Sequence, residues 1–296
     1  MTEKERQVVV DLLRSAPSPA SLSVTELRAM FEQTGSITKQ PEDVVLEKAV
    51  VGGVPAEWSS TPGAESTSVL LYLHGGGFYF GSAASHRGLV TNLGALAGVR
   101  TLTLEYRLAP EHRFPSPIED AVAGYRDLLD QGLEPARIAV AGDSAGGGLL
   151  ISMLVAAREA GLPLPGAAVC FSPWVDMMFE GDSMRTNQAL DAVVGREELS
   201  WMADQFIAVD DRRDPRASPI LADLTGFPPA LIQVSSHEVL LDDGTRLAAR
   251  LAAADVRVQL DVWPRLPHVW QLYAGMLSEG WDALEQAADF LRKQLR

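Results

Sequence analysis

At 296 residues, 47% of them hydrophobic and 22% charged, the chain has the make-up of an ordinary folded protein with room for one large core, which excludes disorder. Its 39 acidic residues outnumber 25 basic ones, and the net charge of -14 excludes nucleic acid or an anionic membrane surface as main partner, because either would repel it. Cys170 is the only cysteine, so no intrachain disulfide forms, and no long apolar segment follows the charged run Glu3 to Arg6. A cytoplasmic protein with neither signal peptide nor membrane span is therefore expected.

Residues 1 to about 34 read as two helices. Val8, Val9, Leu12 and Leu13 make an apolar face in the first, and Ser23 with Glu26 forms a capping box ahead of Leu27, Met30 and Phe31 in the second. Val44 to Val51 and Val54 to Trp58, joined by Gly52-Gly53, form a β-hairpin, and Thr61-Pro62-Gly63 is a loop. The apolar run Val69 to Leu73 is a buried strand that runs into His74-Gly75-Gly76-Gly77-Phe78. Three glycines after a strand leave backbone N–H groups uncovered, which suits the binding of a developing alkoxide. No Gly-Lys-Ser/Thr follows and G-x-G-x-x-G is absent, so a nucleotide cradle fails. A helix over Ala83 to Ala97 leads to a strand, Arg100 to Glu105, and a proline-bounded loop to Pro115 in which Arg107 and Glu111 are expected to pair. Ser116 is the expected cap of the next helix, with Pro117 at its first position and Asp130 at its end.

The strand Arg137 to Ala141 delivers Gly142-Asp143-Ser144-Ala145-Gly146, a G-x-S-x-G turn followed by a helix to Ala160. A serine on such a turn is lifted clear of the chain, and the glycines two before and two after it must lack a Cβ. The strand Ala167 to Phe171 comes next. Asp176 to about Arg213 then holds amphipathic stretches and no strand, and is long enough to read as an inserted helical cap. Sheet pattern resumes with Ala230 to Val234, a helix over Leu241 to Ala254, a strand over Val256 to Val262, the loop Trp263 to His268 and a last helix ending at Arg296. Strands alternating with helices predict an α/β fold whose sheet is mostly parallel and flanked by helices.

A serine nucleophile needs a base, and the order serine, acid, histidine leaves His237 and His268 as candidates among five histidines. His268 follows the last strand and is preferred; His237 comes too early. The acid belongs after Ala230 to Val234, where Glu238 is nearest the strand end and Asp242 is the rival, with the alternative role of an N-terminal helix charge.

Taken together, these blocks resemble the bacterial hormone-sensitive-lipase-like esterases. Leu70 to Phe78, continuing through Ser82 to Ser85-His86, is similar to that family's histidine signature, Gly142 to Gly147 to its serine signature, and Tyr106 to Glu111 to a third block. Glu238-Val239-Leu240-Leu241-Asp242-Asp243-Gly244 lines up with the family's Asp-Pro-Leu-x-Asp-x-Gly, with glutamate for the usual aspartate and valine for the proline. The resemblance implies an α/β-hydrolase fold and the triad Ser144, Glu238 and His268. It implies oxyanion N–H groups from Gly75, Gly76, Gly77 and Ala145, and no metal or organic cofactor. The expected domains are N-terminal cap helices in 1–40, core in 41–175, inserted cap in 176–213 and core in 214–296. The expected activity is hydrolysis of short acyl esters of small molecules through an acyl-enzyme. A homodimer is implied by family analogy alone. An amidase with the same triad stays open, whereas a binding protein on this scaffold would lack the base.

Overall fold

The computed structural model describes residues 3–295, so Arg296, the expected end of the last helix, lies outside them. In chain order come α1 (Glu3–Arg14), α2 (Val24–Glu32), β1 (Val45–Val51), β2 (Val54–Ser60), β3 (Glu65–Leu73), α3 (Ala83–Ala97), β4 (Val99–Leu104), α4 (Ser116–Asp130) and β5 (Ile138–Asp143). They are followed by α5 (Ala145–Glu159), β6 (Ala167–Phe171), α6 (Ser183–Thr186), α7 (Arg196–Phe206), β7 (Ala230–Ser235), α8 (Leu241–Ala253), β8 (Val258–Trp263) and α9 (Ser278–Gln294).

The eight strands form one sheet in the order β1-β2-β4-β3-β5-β6-β7-β8, antiparallel through β1, β2 and β4 and parallel from β4 to β8. A strand places successive side chains on opposite faces, so a central strand that is apolar throughout needs cover on both sides. Leu70 and Tyr72 of β3 accordingly join α3 and α9 in one core, while Val69, Leu71 and Leu73 join α4, α5 and α8 in the other. The parallel strands all end at the same edge, where the loops after β3, β5, β6, β7 and β8 gather.

The expected capping box holds: Ser23 Oγ accepts from the Glu26 N–H and the Glu26 carboxylate accepts from the Ser23 N–H. Two expectations need correction. Ser116 is the first residue of α4 and not its cap; Pro115 occupies the cap position, and the Ser116 side chain makes no cap bond. Arg107 and Glu111 do not pair. Arg107 binds Asp120 and Glu119 on α4, and Glu111 takes both guanidinium Nη atoms of Arg28, at 2.9 and 2.8 Å. Arg28 also donates to the carbonyls of Tyr79 and Ala109, so α2 is tied to the two loops it covers. Among the described residues, no helix is long and apolar enough to cross a membrane.

Candidate active site

Ser144 sits between β5 and α5 with φ 52° and ψ -122°, a conformation disfavoured for a residue with a side chain. Its N–H donates to the Phe171 carbonyl and its carbonyl accepts from Trp174 and Gly148. A Cβ on Gly146 would collide with the Leu73 and His74 carbonyls, and one on Gly142 would crowd Gly146 itself at 2.5–2.6 Å. The two motif glycines therefore let the turn pack against β3, as the sequence anticipates.

His268, in the loop after β8, places Nδ1 2.7 Å from Glu238 Oε2. The other Glu238 oxygen accepts from the Ser235 N–H at 2.6 Å and from the Ser172 hydroxyl at 2.8 Å. Burial opposes the imidazolium, but the Glu238 hydrogen bond and charge together outweigh it and hold His268 above the ordinary histidine value. Its other ring nitrogen, Nε2, has no hydrogen-bond partner among the described residues. His268 and Ser144 line the same cavity of about 60 Å³, walled by Phe31, Leu199, Met202, Leu272 and Tyr273. Asp242, the rival acid, lies in the first turn of α8 and is turned elsewhere: its carboxylate accepts from the Ser183 N–H at the start of α6. His237 lines a separate cleft with Arg6 and Arg265.

The glycine loop divides. Gly76 and Gly77 line the cavity with Ser144, and Gly77 packs directly under the Met202 thioether. No acceptor among the described residues takes the N–H of Gly76, Gly77 or Ala145. Gly75 departs from expectation, because its N–H is directed at Asp143 Oδ1 at 3.0 Å, with His86 Nε2 a longer second acceptor at 3.3 Å, and so is not open to a ligand. Two supporting roles, those of Ser172 and Tyr106, carry no signal of their own in the sequence, although Tyr106 opens the third of the blocks named above. Ser172 links Glu238 to the His268 loop by also accepting from the Val269 N–H, and no motif marks it. Tyr106 stacks on His74 at 4.3 Å and donates to the His74 carbonyl, bracing the strand end that leads into the glycines. Burial and the neighbouring His86 push His74 down to about 3, so this ring is neutral. Among the described residues, no cluster of three His, Cys, Asp or Glu side chains offers a metal site.

Residues 70–272 match the family described as the alpha/beta hydrolase fold. The chain belongs to that family. An acetyl-hydrolase of Streptomyces hygroscopicus is 47% identical over 261 residues, 88% of this chain and 86% of the relative. An esterase of Acinetobacter venetianus is 32% identical over 275 residues, 93% of this chain and 90% of the relative. The crystal structure of an esterase from the bacterial hormone-sensitive lipase family superposes with a TM-score of 0.96 at 43% identity, covering all of both chains. With sheet order, sequence blocks and relatives in agreement, the molecule is a hormone-sensitive-lipase-like esterase, a carboxylic ester hydrolase.

Proposed function

We propose that this esterase cleaves short acyl esters of small molecules by serine catalysis through an acyl-enzyme. The observation that carries the reading is the His268 ring, bound to Glu238 on one nitrogen and unpaired on the other, in the same cavity as Ser144. Ser144 Oγ attacks the ester carbonyl carbon while His268 Nε2 takes its proton, and Glu238 fixes the ring and balances the imidazolium. The N–H groups of Gly76, Gly77 and Ala145 receive the oxyanion. His268 then gives its proton to the leaving alcohol, and water repeats the sequence on the acyl-enzyme.

The small cavity supports the short acyl group, and the acetyl-hydrolase name of the Streptomyces relative agrees with it. Its lining side chains are apolar apart from Asp143, Ser144, His268 and the Tyr273 hydroxyl, which favours an uncharged ester. Phe31 comes from the 1–40 segment and Val193, Val194, Leu199 and Met202 from the 176–213 segment, so we read these two segments as one cap over the core.

Covalent labelling by an organophosphate tests the nucleophile. Ser144→Ala is expected to lose both labelling and ester hydrolysis; a folded variant that is still labelled at another residue overturns the assignment. A chain-length series of p-nitrophenyl esters tests the acyl preference, and a maximum at long chains overturns it.

A further inference from the structure

Asp143, the residue before the nucleophile, is only 2% exposed, yet its carboxylate gathers contacts from β3 and the glycine loop that continues it and from α3. Oδ1 accepts from the Tyr72 hydroxyl of β3 at 2.8 Å and from the Gly75 N–H at 3.0 Å, and Oδ2 lies 3.3 Å from His86 Nε2 on α3. The fit leaves no slack, since a Cβ on Gly75 would collide with Oδ2. Burial alone would raise this carboxyl; the facing His86 and the Tyr72 hydroxyl outweigh it and hold Asp143 below the usual carboxylate range. Burying a carboxylate is costly unless it is fully partnered, so a structural explanation has to say what the partners achieve.

Their placement answers that. Asp143 is joined covalently to Ser144, and Gly75 is joined covalently to Gly76, so one hydrogen bond clamps the chain immediately before the nucleophile to the chain immediately before the oxyanion donors. We infer that Asp143 is a positioning residue that sets the spacing between Ser144 and the N–H groups of Gly76 and Gly77. The inference rests on the assignment of those groups made above. It also gives Gly75 a function other than oxyanion binding: its N–H serves the clamp.

Oxyanion donors act on charge that develops only in the transition state, so a slackened clamp lowers kcat and spares KM. The test compares the full-length wild type with Asp143→Ala and Asp143→Asn, using p-nitrophenyl acetate kinetics and the affinity of a trifluoromethyl ketone, which forms a tetrahedral adduct on the serine. With misplacement of about 1 Å costing on the order of 100-fold, Asp143→Ala is expected to lose about 10- to 100-fold in kcat with KM within about twofold. Ketone affinity should fall by the same factor as kcat/KM. Asp143→Asn keeps one acceptor oxygen for Gly75 and is expected to recover part of both losses.

A folded Asp143→Ala with unchanged kcat and ketone affinity, or with its loss confined to KM, overturns the inference. If Asp143→Ala does not fold, the same two readouts on Asp143→Leu, which keeps the branched shape of the side chain but offers the Gly75 N–H no acceptor, decide, and wild-type ketone affinity there overturns it. Ser144→Ala separates the two levels. Activity retained in Ser144→Ala removes the nucleophile assignment itself; activity lost there but kept in the Asp143 variants removes only the clamp.

Discussion

Glu238 Oε2 lies 2.7 Å from His268 Nδ1, and both side chains are buried, so the carboxylate has no competing water for that proton. Glu238→Gln keeps the size of the side chain but removes its charge. Its kcat/KM is expected to fall by roughly 10²- to 10⁴-fold in steady-state assays, while Asp242→Ala stays within about threefold. A severe Asp242→Ala would return the acid role to the rival.

The same pair sets the pH dependence. As the proposed base, His268 has to be neutral to act, and Glu238 raises its pKa against burial. The acid limb of kcat/KM is therefore expected above the ordinary histidine value of about 6.5, with activity lost as pH falls through it. In Glu238→Gln the supporting charge is gone and burial remains, so the limb should move to lower pH. A pH-rate profile of both proteins checks the sign.

Met202 covers Gly77 and helps close a cavity of about 60 Å³. Met202→Ala is expected to raise the ratio of kcat/KM on octanoate to that on acetate by about tenfold, the scale of roughly one to two methylene groups in an apolar pocket. Its melting temperature should fall, because a buried side chain is being removed.

Arg28 holds α2 to the loops at Tyr79, Ala109 and Glu111. Arg28→Ala is expected to cost about 1–2 kcal/mol, a partly exposed ion pair contributing little and the two carbonyl contacts most of it. Thermal melting reads this as a fall of a few degrees. KM should rise as well, since α2 carries Phe31 into the cavity wall.

What could be read in the sequence was what local geometry forces. The glycines flanking Ser144 and the Ser23–Glu26 cap each follow from short stretches of chain, whereas the choice of Glu238 and His268 drew on the order of serine, acid and histidine along the whole fold. Contacts that depend on packing were not legible. Arg107 and Glu111 are four residues apart and of opposite sign, yet Glu111 is claimed by Arg28 from 83 residues away and Arg107 by the helix that follows. The three glycines after His74 look equivalent as letters, and only the approach of Asp143 separates Gly75 from its neighbours. Ser172 carries no motif at all because its partners, Glu238 and Val269, come from two other loops.

Part of the cavity wall comes from outside the sheet, with Phe31, Leu199 and Met202 on helical segments, whereas the proposed reacting groups Ser144, Glu238 and His268 follow the ends of its strands. Exchanging Phe31 or Leu199 is expected to reshape the space while the Glu238–His268 pair keeps its contact. Substrate range is thus free to drift by single exchanges, under selection for a new ester, while the inherited chemistry stays intact.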